Sequence, residues 1–172
     1  MVKNKKVLSV RDIAIVAILT AILFVMEQVL SVVPNVQLTV LLLMIFAKKL
    51  GILKSSIIIL VHSFLDNLVS GSFNILIVIF MIIGWEFIPL LVNTLFKKVD
   101  SIILISLVGV LFSFLYSWIY MIPFCIIFEM SFFEYLKADI IWEVLLATSS
   151  FLSILLLYKP VEKIFDKFIV SE

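Results

Sequence analysis

Long apolar runs separated by connections of only a few residues leave this chain one solvent in which to fold. The runs span residues 13–33, 36–47, 52–69, 75–96, 102–128 and 135–158. Between them stand Pro34-Asn35, Lys48-Lys49-Leu50-Gly51, Ser70-Gly71-Ser72, Lys97-Lys98-Val99-Asp100 and the stretch 129–134, turn-forming or charged in composition. A helix that crosses a bilayer needs about 20 mostly apolar residues. The chain is 65% hydrophobic and 15% charged, where water-soluble domains carry about 45–50% and about 25%. The expected fold is therefore an all-α membrane protein, a compact bundle of six transmembrane helices forming a single domain over residues 1–172. No stretch is left for a soluble catalytic domain of about 50 residues or more, so any ATP hydrolysis must come from partner subunits, and the chain itself is not expected to be an enzyme.

The second run is the short one, because twelve residues cover only about 18 Å of a hydrocarbon core about 30 Å thick. Charge argues that it crosses. With a crossing here and a cytoplasmic N-terminus, Lys3, Lys5, Lys6, Arg11, Lys48, Lys49, Lys54, Lys97, Lys98, Lys159, Lys163 and Lys167 all lie inside, and Lys137 alone lies outside. Without it every later loop inverts and the inside count falls from twelve to five, against the positive-inside rule. Six helices with both termini cytoplasmic follow, the short one extended by snorkelling of Lys48 and Lys49 or seated in locally thinned bilayer. A cleavable signal peptide at the N-terminus is disfavoured, since the first run exceeds a 7–15-residue apolar core and no A-x-A-like site follows it.

Several function classes are excluded by what the sequence lacks. The four glycines never form a phosphate-cradling loop. One histidine and one cysteine, His62 and Cys125, cannot build the usual zinc cages, so neither a metal nor another cofactor is expected. Thirteen basic against twelve acidic residues give no basic footprint for nucleic acid.

The candidate site is argued from polar groups at membrane depth, where an ionisable side chain costs at least about 2.5–3.5 kcal/mol and normally faces a cavity or a partner. Glu27 lies about 21 Å above the cytoplasmic edge near Ile13, and Asp66 about 18 Å above Lys54. Glu143 falls about 12 Å below the outer end of the last run, and Glu86 about 17 Å below Ile75, near the midplane. Glu129, Glu134 and Asp139 are assigned to the outer loop and interface. Around these carboxylates the outer half gathers Gln28, Ser31, Asn35, Gln37, Asn67, Ser72 and Asn74, with Tyr116, Trp118, Tyr120 and Trp142 approaching from the last two helices. Apolar and aromatic walls with a few orienting polar groups are the composition of a small-molecule pocket. The same residue types also serve as interfacial anchors and interhelical hydrogen bonds. His62 and Asp66, at i and i+4, share one face of the third helix, either as a polar edge of the pocket, a proton site or part of a nickel or cobalt site, or as a helix-packing hydrogen bond. A hydrolase would need a nucleophile and oxyanion donors in defined geometry, and Ser63 beside His62 points elsewhere. On the first helix Ala14, Ala17 and Ala21 make a strip of small side chains, the pattern that lets transmembrane helices approach closely.

The basic N-terminus, the first-helix segment Val10-Arg-Asp-Ile-Ala-Ile-Val-Ala-Ile-Leu-Thr-Ala-Ile-Leu-Phe, the Pro34-Asn35-Val36-Gln37 turn and six short helices together resemble the S component of an energy-coupling factor transporter. The resemblance spans nearly the whole chain. It implies a multi-pass protein of the bacterial plasma membrane that captures a water-soluble vitamin or precursor outside and works with a transmembrane coupling subunit and two cytoplasmic ATPase subunits. It assigns Ala17 and Ala21, with Ala14, to docking on the coupling subunit, and the outer polar cluster to the substrate: Glu27, Gln28, Asn35, Gln37, His62, Asp66, Asn67, Asn74, Glu86, Trp118, Tyr120, Trp142 and Glu143. It also implies that the bundle topples on docking. The carboxylates favour a ligand with a cationic or hydrogen-donor part and the aromatic rings a flat one, so a pyrimidine or pyridine precursor is the first candidate. An anion fits less well with only Lys137 outside, and one histidine supplies too few nitrogen ligands for a transported metal ion. An alternative from another class is a structural subunit similar to the rod-shape-determining membrane proteins, whose Asp-to-Gly turn the segment 65–71 resembles.

Overall fold

The computed structural model describes residues 8–71 and 73–170, with side chains through residue 168. Lys3, Lys5, Lys6 and Ser72, used above for charge and pocket arguments, lie outside the described residues. The chain forms α1 (Val10–Leu30), α2 (Thr39–Leu50), α3 (Ile52–Val69), α4 (Ile75–Asn93), α5 (Ile102–Ile127) and α6 (Phe132–Phe165), the last continued by a π-helical turn, Asp166–Val170. There is no strand among the described residues. Five of the helices are long and apolar enough to cross a membrane; α2 is not.

Capping explains why two helices start before their apolar runs. α1 begins at Val10 rather than 13 because Ser9 and Asp12 form a reciprocal capping box: the Asp12 N–H donates to Ser9 Oγ at 3.1 Å and the Ser9 N–H donates to Asp12 Oδ2 at 3.0 Å. Ser131 and Glu134 do the same for α6, so that helix starts three residues before the apolar run at 135. At its other end α6 runs past residue 158 through Pro160 and carries Glu162 and Asp166 to Lys49 of α2, at 3.2 and 2.8 Å.

The short second helix reaches its place differently from the expectation of snorkelling or bilayer thinning. It sits at the centre of the bundle, surrounded by the other five helices. Every residue from Thr39 to Ala47 is buried, and α3, α4, α5 and α6 all pack against it, with α1 in lighter contact. Around it the order is α1, α3, α4, α5, α6. A helix enclosed in this way need not span the hydrocarbon by itself, because most of its length faces the other helices rather than lipid. The remaining depth is taken up by the irregular segment 31–38, which is tolerated within a membrane only where protein or an aqueous cavity surrounds it. The circle is open between α1 and α6, where an apolar groove of about 510 Å³ is lined by Ile18, Ile22 and Met26 on one side, Ile164 and Phe168 on the other, and Leu41 at its floor.

Sidedness is inverted relative to a soluble protein. Ile18, Val25, Phe64, Ile103, Ile141 and Leu156 are exposed, whereas Thr20, Ser55, His62, Ser113, Glu143 and Ser150 are buried. This distribution and the five spanning-length helices are those of a multi-pass membrane protein. The antiparallel order also places every described basic residue except Lys137 at one end of the bundle, where Lys54 pairs with Asp12 and Lys48 with Asp100 (3.1 Å). Glu27, Asp66, Glu134 and Asp139 lie toward the other end.

α5 and α6 form the most extensive pair, and they approach closely because their facing residues are small. The Ser113 and Ser150 hydroxyls are 2.7 Å apart, and a Cβ added at Gly109 would overlap the δ-methyl of the fully buried Ile154. Gly109→Val is expected to destabilise the bundle by about 1–3 kcal/mol through overpacking, with partial recovery in the Gly109→Val/Ile154→Ala double variant. Thermal unfolding in detergent checks both, and an undiminished midpoint in the single variant would show that this contact does not hold α5 against α6.

Candidate ligand-binding site

At the end opposite the lysines, the helix termini enclose a cavity of about 230 Å³. Each element delivers its residues by simple periodicity. α1 presents Glu27 in its last turn, α3 presents Asp66 one turn beyond His62, α5 presents Tyr116 and Tyr120 at i and i+4, and α6 presents Tyr135 and Asp139 at the same spacing. The segment 31–38 contributes Asn35 and Gln37. Asn35 takes a positive φ of 59°, a conformation asparagine tolerates better than most residues, and its Nδ2 donates to the Trp142 carbonyl at 2.9 Å. The Gln37 N–H donates to Ser149 Oγ at 3.1 Å and its carbonyl accepts from the same hydroxyl at 3.2 Å. The segment is therefore tied to α6 at two points.

Two polar pairs brace α1 against α3. His62, fully buried, places Nε2 2.8 Å from Glu27 Oε2. The contact is close but not aligned as a hydrogen bond, and Nδ1 has no hydrogen-bond partner among the described residues. One position along α1, Gln28 Nε2 donates to Asp66 Oδ1 at 3.0 Å. The Thr39 hydroxyl is shared between Glu27 Oε2 and Gln37 Oε1, each at 3.2 Å, which links α1, α2 and the connecting segment. In the cavity wall the Tyr116 ring stacks on Trp85 behind it at 3.6 Å and lies nearly parallel to Tyr120 at 5.3 Å.

Of the residues singled out from the sequence, Glu27, Asn35, Gln37, Asp66, Tyr116 and Tyr120 line the cavity. Gln28 and His62 are one contact behind it, through Asp66 and Glu27. Glu143 is buried and accepts from Ser117, itself a lining residue, at 3.0 Å. The others stand apart. Asn67 is buried and donates to the Ser63 carbonyl (3.0 Å) and the Met81 sulfur (3.3 Å). Asn74 caps α4, accepting from the Leu76 N–H at 2.9 Å. Glu86 accepts from Ser56 Oγ at 2.7 Å across the α3–α4 contact. Trp118 and Trp142 are 46% and 40% exposed and face away from the bundle. Trp118 falls two residues from both Tyr116 and Tyr120, hence on the far side of the helix from them. Ala14, Ala17 and Ala21 form an exposed strip along α1 and take no part in the internal core.

No family model, curated protein or solved structure matches the chain. The site is therefore read from its own geometry. Asp139, assigned from the sequence to the outer interface, is half-buried in the cavity wall with Tyr135. The i, i+4 spacing of Tyr135 and Asp139 is the signal that could have placed both there. No group of three metal-ligating side chains occurs among the described residues.

Replacing His62 by Leu leaves the half-buried Glu27 carboxylate without its cationic-capable neighbour and is expected to cost about 1–3 kcal/mol. A double-mutant cycle with Glu27→Gln, read by thermal unfolding, should show coupling of at least about 0.5 kcal/mol; strictly additive effects would show that the two side chains do not act as a pair.

Proposed function

We propose that the chain is the substrate-capturing subunit of a transporter of the energy-coupling factor type, binding a small water-soluble vitamin or precursor in the cavity and passing it inward when docked on an ATP-driven coupling module. The observation that carries this reading is the cavity itself: a polar, carboxylate- and tyrosine-lined space at one end of an otherwise apolar bundle. A protein whose only task was to fill space in a membrane complex would have no use for the cost of keeping Glu27, Asp66 and Asp139 together at membrane depth. The gathering of the described basic residues at the opposite end supports a cytoplasmic position for that end and for both termini, so that the cavity faces outward. The chain has no phosphate-cradling loop, which accords with energy supplied by two partner ATPases. The outward-facing strip Ala14, Ala17 and Ala21 supports docking of α1 on a transmembrane coupling subunit, because small side chains let a partner helix approach closely where lipid offers no hydrophobic drive.

In this mechanism the cavity residues orient the ligand and the surrounding helices exclude water from it, while α1 serves as the handle by which the whole bundle is turned. Equilibrium binding of a panel of water-soluble vitamins and their precursors to the purified protein should reveal one at submicromolar affinity, weakened at least tenfold by Asp66→Asn or Tyr120→Ala. Absence of binding, together with retention of the chain by cell-wall synthesis proteins, would replace transport by the structural-subunit reading. The combined change Ala17→Leu and Ala21→Leu should abolish cellular uptake and leave binding intact; uptake that survives it would remove the docking role from α1.

A further inference from the structure

The charge of the cavity wall goes beyond its shape. Glu27, Asp66 and Asp139 all line the cavity, and among the described residues no lysine or arginine does. Lys137, the one basic side chain described at this end, lies two residues from Asp139 and so on a different face of α6. Internal pairing leaves much of this negative charge uncompensated. Glu27 has His62 beside one oxygen, Asp66 accepts an uncharged amide donor at Oδ1, and the Asp139 carboxylate makes no hydrogen bond among the described residues. The fully buried His62 directs one nitrogen at the cavity-lining Glu27 while the other has no hydrogen-bond partner among the described residues, and the wall as a whole carries a surplus of hydrogen-bond acceptors. Ionisable groups at membrane depth are ordinarily paired, and here the missing partner is positive.

The remaining lining narrows the class. Of the lining tyrosines, Tyr116 is stacked between Trp85 and Tyr120, so the Tyr120 and Tyr135 rings are the ones that can offer a negative face to a cation and a flat surface to a planar group. The volume, about 230 Å³, is below the ~300–1,000 Å³ of sites for drug-sized ligands, so the occupant is compact. Asn35 and Gln37 add amide groups to the same wall. We propose that the cavity takes a compact, planar organic cation bearing N–H donors, held by the carboxylates of Glu27, Asp66 and Asp139 against the tyrosine rings. The assignment rests on the capture reading above and specifies its substrate class.

Three planar probes of nearly one shape separate charge from fit: benzamidinium, neutral benzamide and anionic benzoate, titrated calorimetrically into the purified full-length protein. Benzamidinium should bind at least tenfold more tightly than benzamide, and benzoate should not compete with it. Asp66→Asn should reduce that preference at least tenfold. Asp139→Asn, at a side chain on which no described hydrogen bond depends, should reduce it about threefold without lowering the unfolding midpoint, which keeps the test independent of folding. Equal or tighter binding of benzamide or benzoate, a cation preference unchanged in both variants, or no binding of any probe would each overturn the assignment. In any of these cases a vitamin found by the binding panel would leave the capture reading standing, whereas silence in both experiments would remove the two together.

Discussion

Enclosure of α2 is the constraint on which the other features depend. A twelve-residue helix reaches only about 18 Å, and exposed to lipid it would leave the polar ends of its backbone in hydrocarbon. Surrounded by five longer helices, its C-terminal end is satisfied by protein. Asn93 of α4 donates to the Ala47 carbonyl at 3.0 Å, and the Gly51 N–H reaches the same oxygen at 3.1 Å. Lys48 and Lys49 in its last turn complement the helix dipole and pair with Asp100, Glu162 and Asp166. The chain preceding it must then descend into the bundle as irregular backbone, and the space beside that segment is the cavity. Shortness of one helix and presence of a site are two aspects of one packing solution.

The interior is polar where helices need to recognise one another. Lipid supplies no hydrophobic drive for their association, so packing and interhelical hydrogen bonds set the arrangement. The Ser113–Ser150 contact joins α5 to α6, Ser56–Glu86 joins α3 to α4, and Glu27–His62 with Gln28–Asp66 joins α1 to α3. Only the last set opens onto a cavity. There the same carboxylates brace the helices and line the cavity, so in the proposed capture role binding and bundle stability would be linked through Glu27 and Asp66.

The sequence carried the fold at the level of helix number and span. The runs beginning at 52, 75 and 102 coincide with the starts of α3, α4 and α5, because each is preceded by an N-cap residue of turn-forming type, Gly51, Asn74 and Ser101. α1 and α6 start earlier than hydropathy suggests, since Ser9 and Ser131 are capping residues whose signal lies in spacing to Asp12 and Glu134 rather than in apolarity. Within the site, Glu27 and Asp66 were legible as charges at depth. Trp118 and Trp142 drew attention by type and face outward because of their phase on the helix, while Asp139 drew little and lines the cavity.

Local sequence determined which segments are helical, where their caps fall and that all the described basic residues but one gather at one end of the bundle, since these follow from composition, spacing and alternation along a single chain. It could not determine which faces of those helices meet. That choice depends on side-chain shape across contacts between residues far apart in sequence, such as Gly109 against Ile154 or Gln28 against Asp66. The tertiary structure alone therefore decided that the shortest helix is the centre, that the alanine strip of α1 is exposed, and that three carboxylates from three different helices share one cavity.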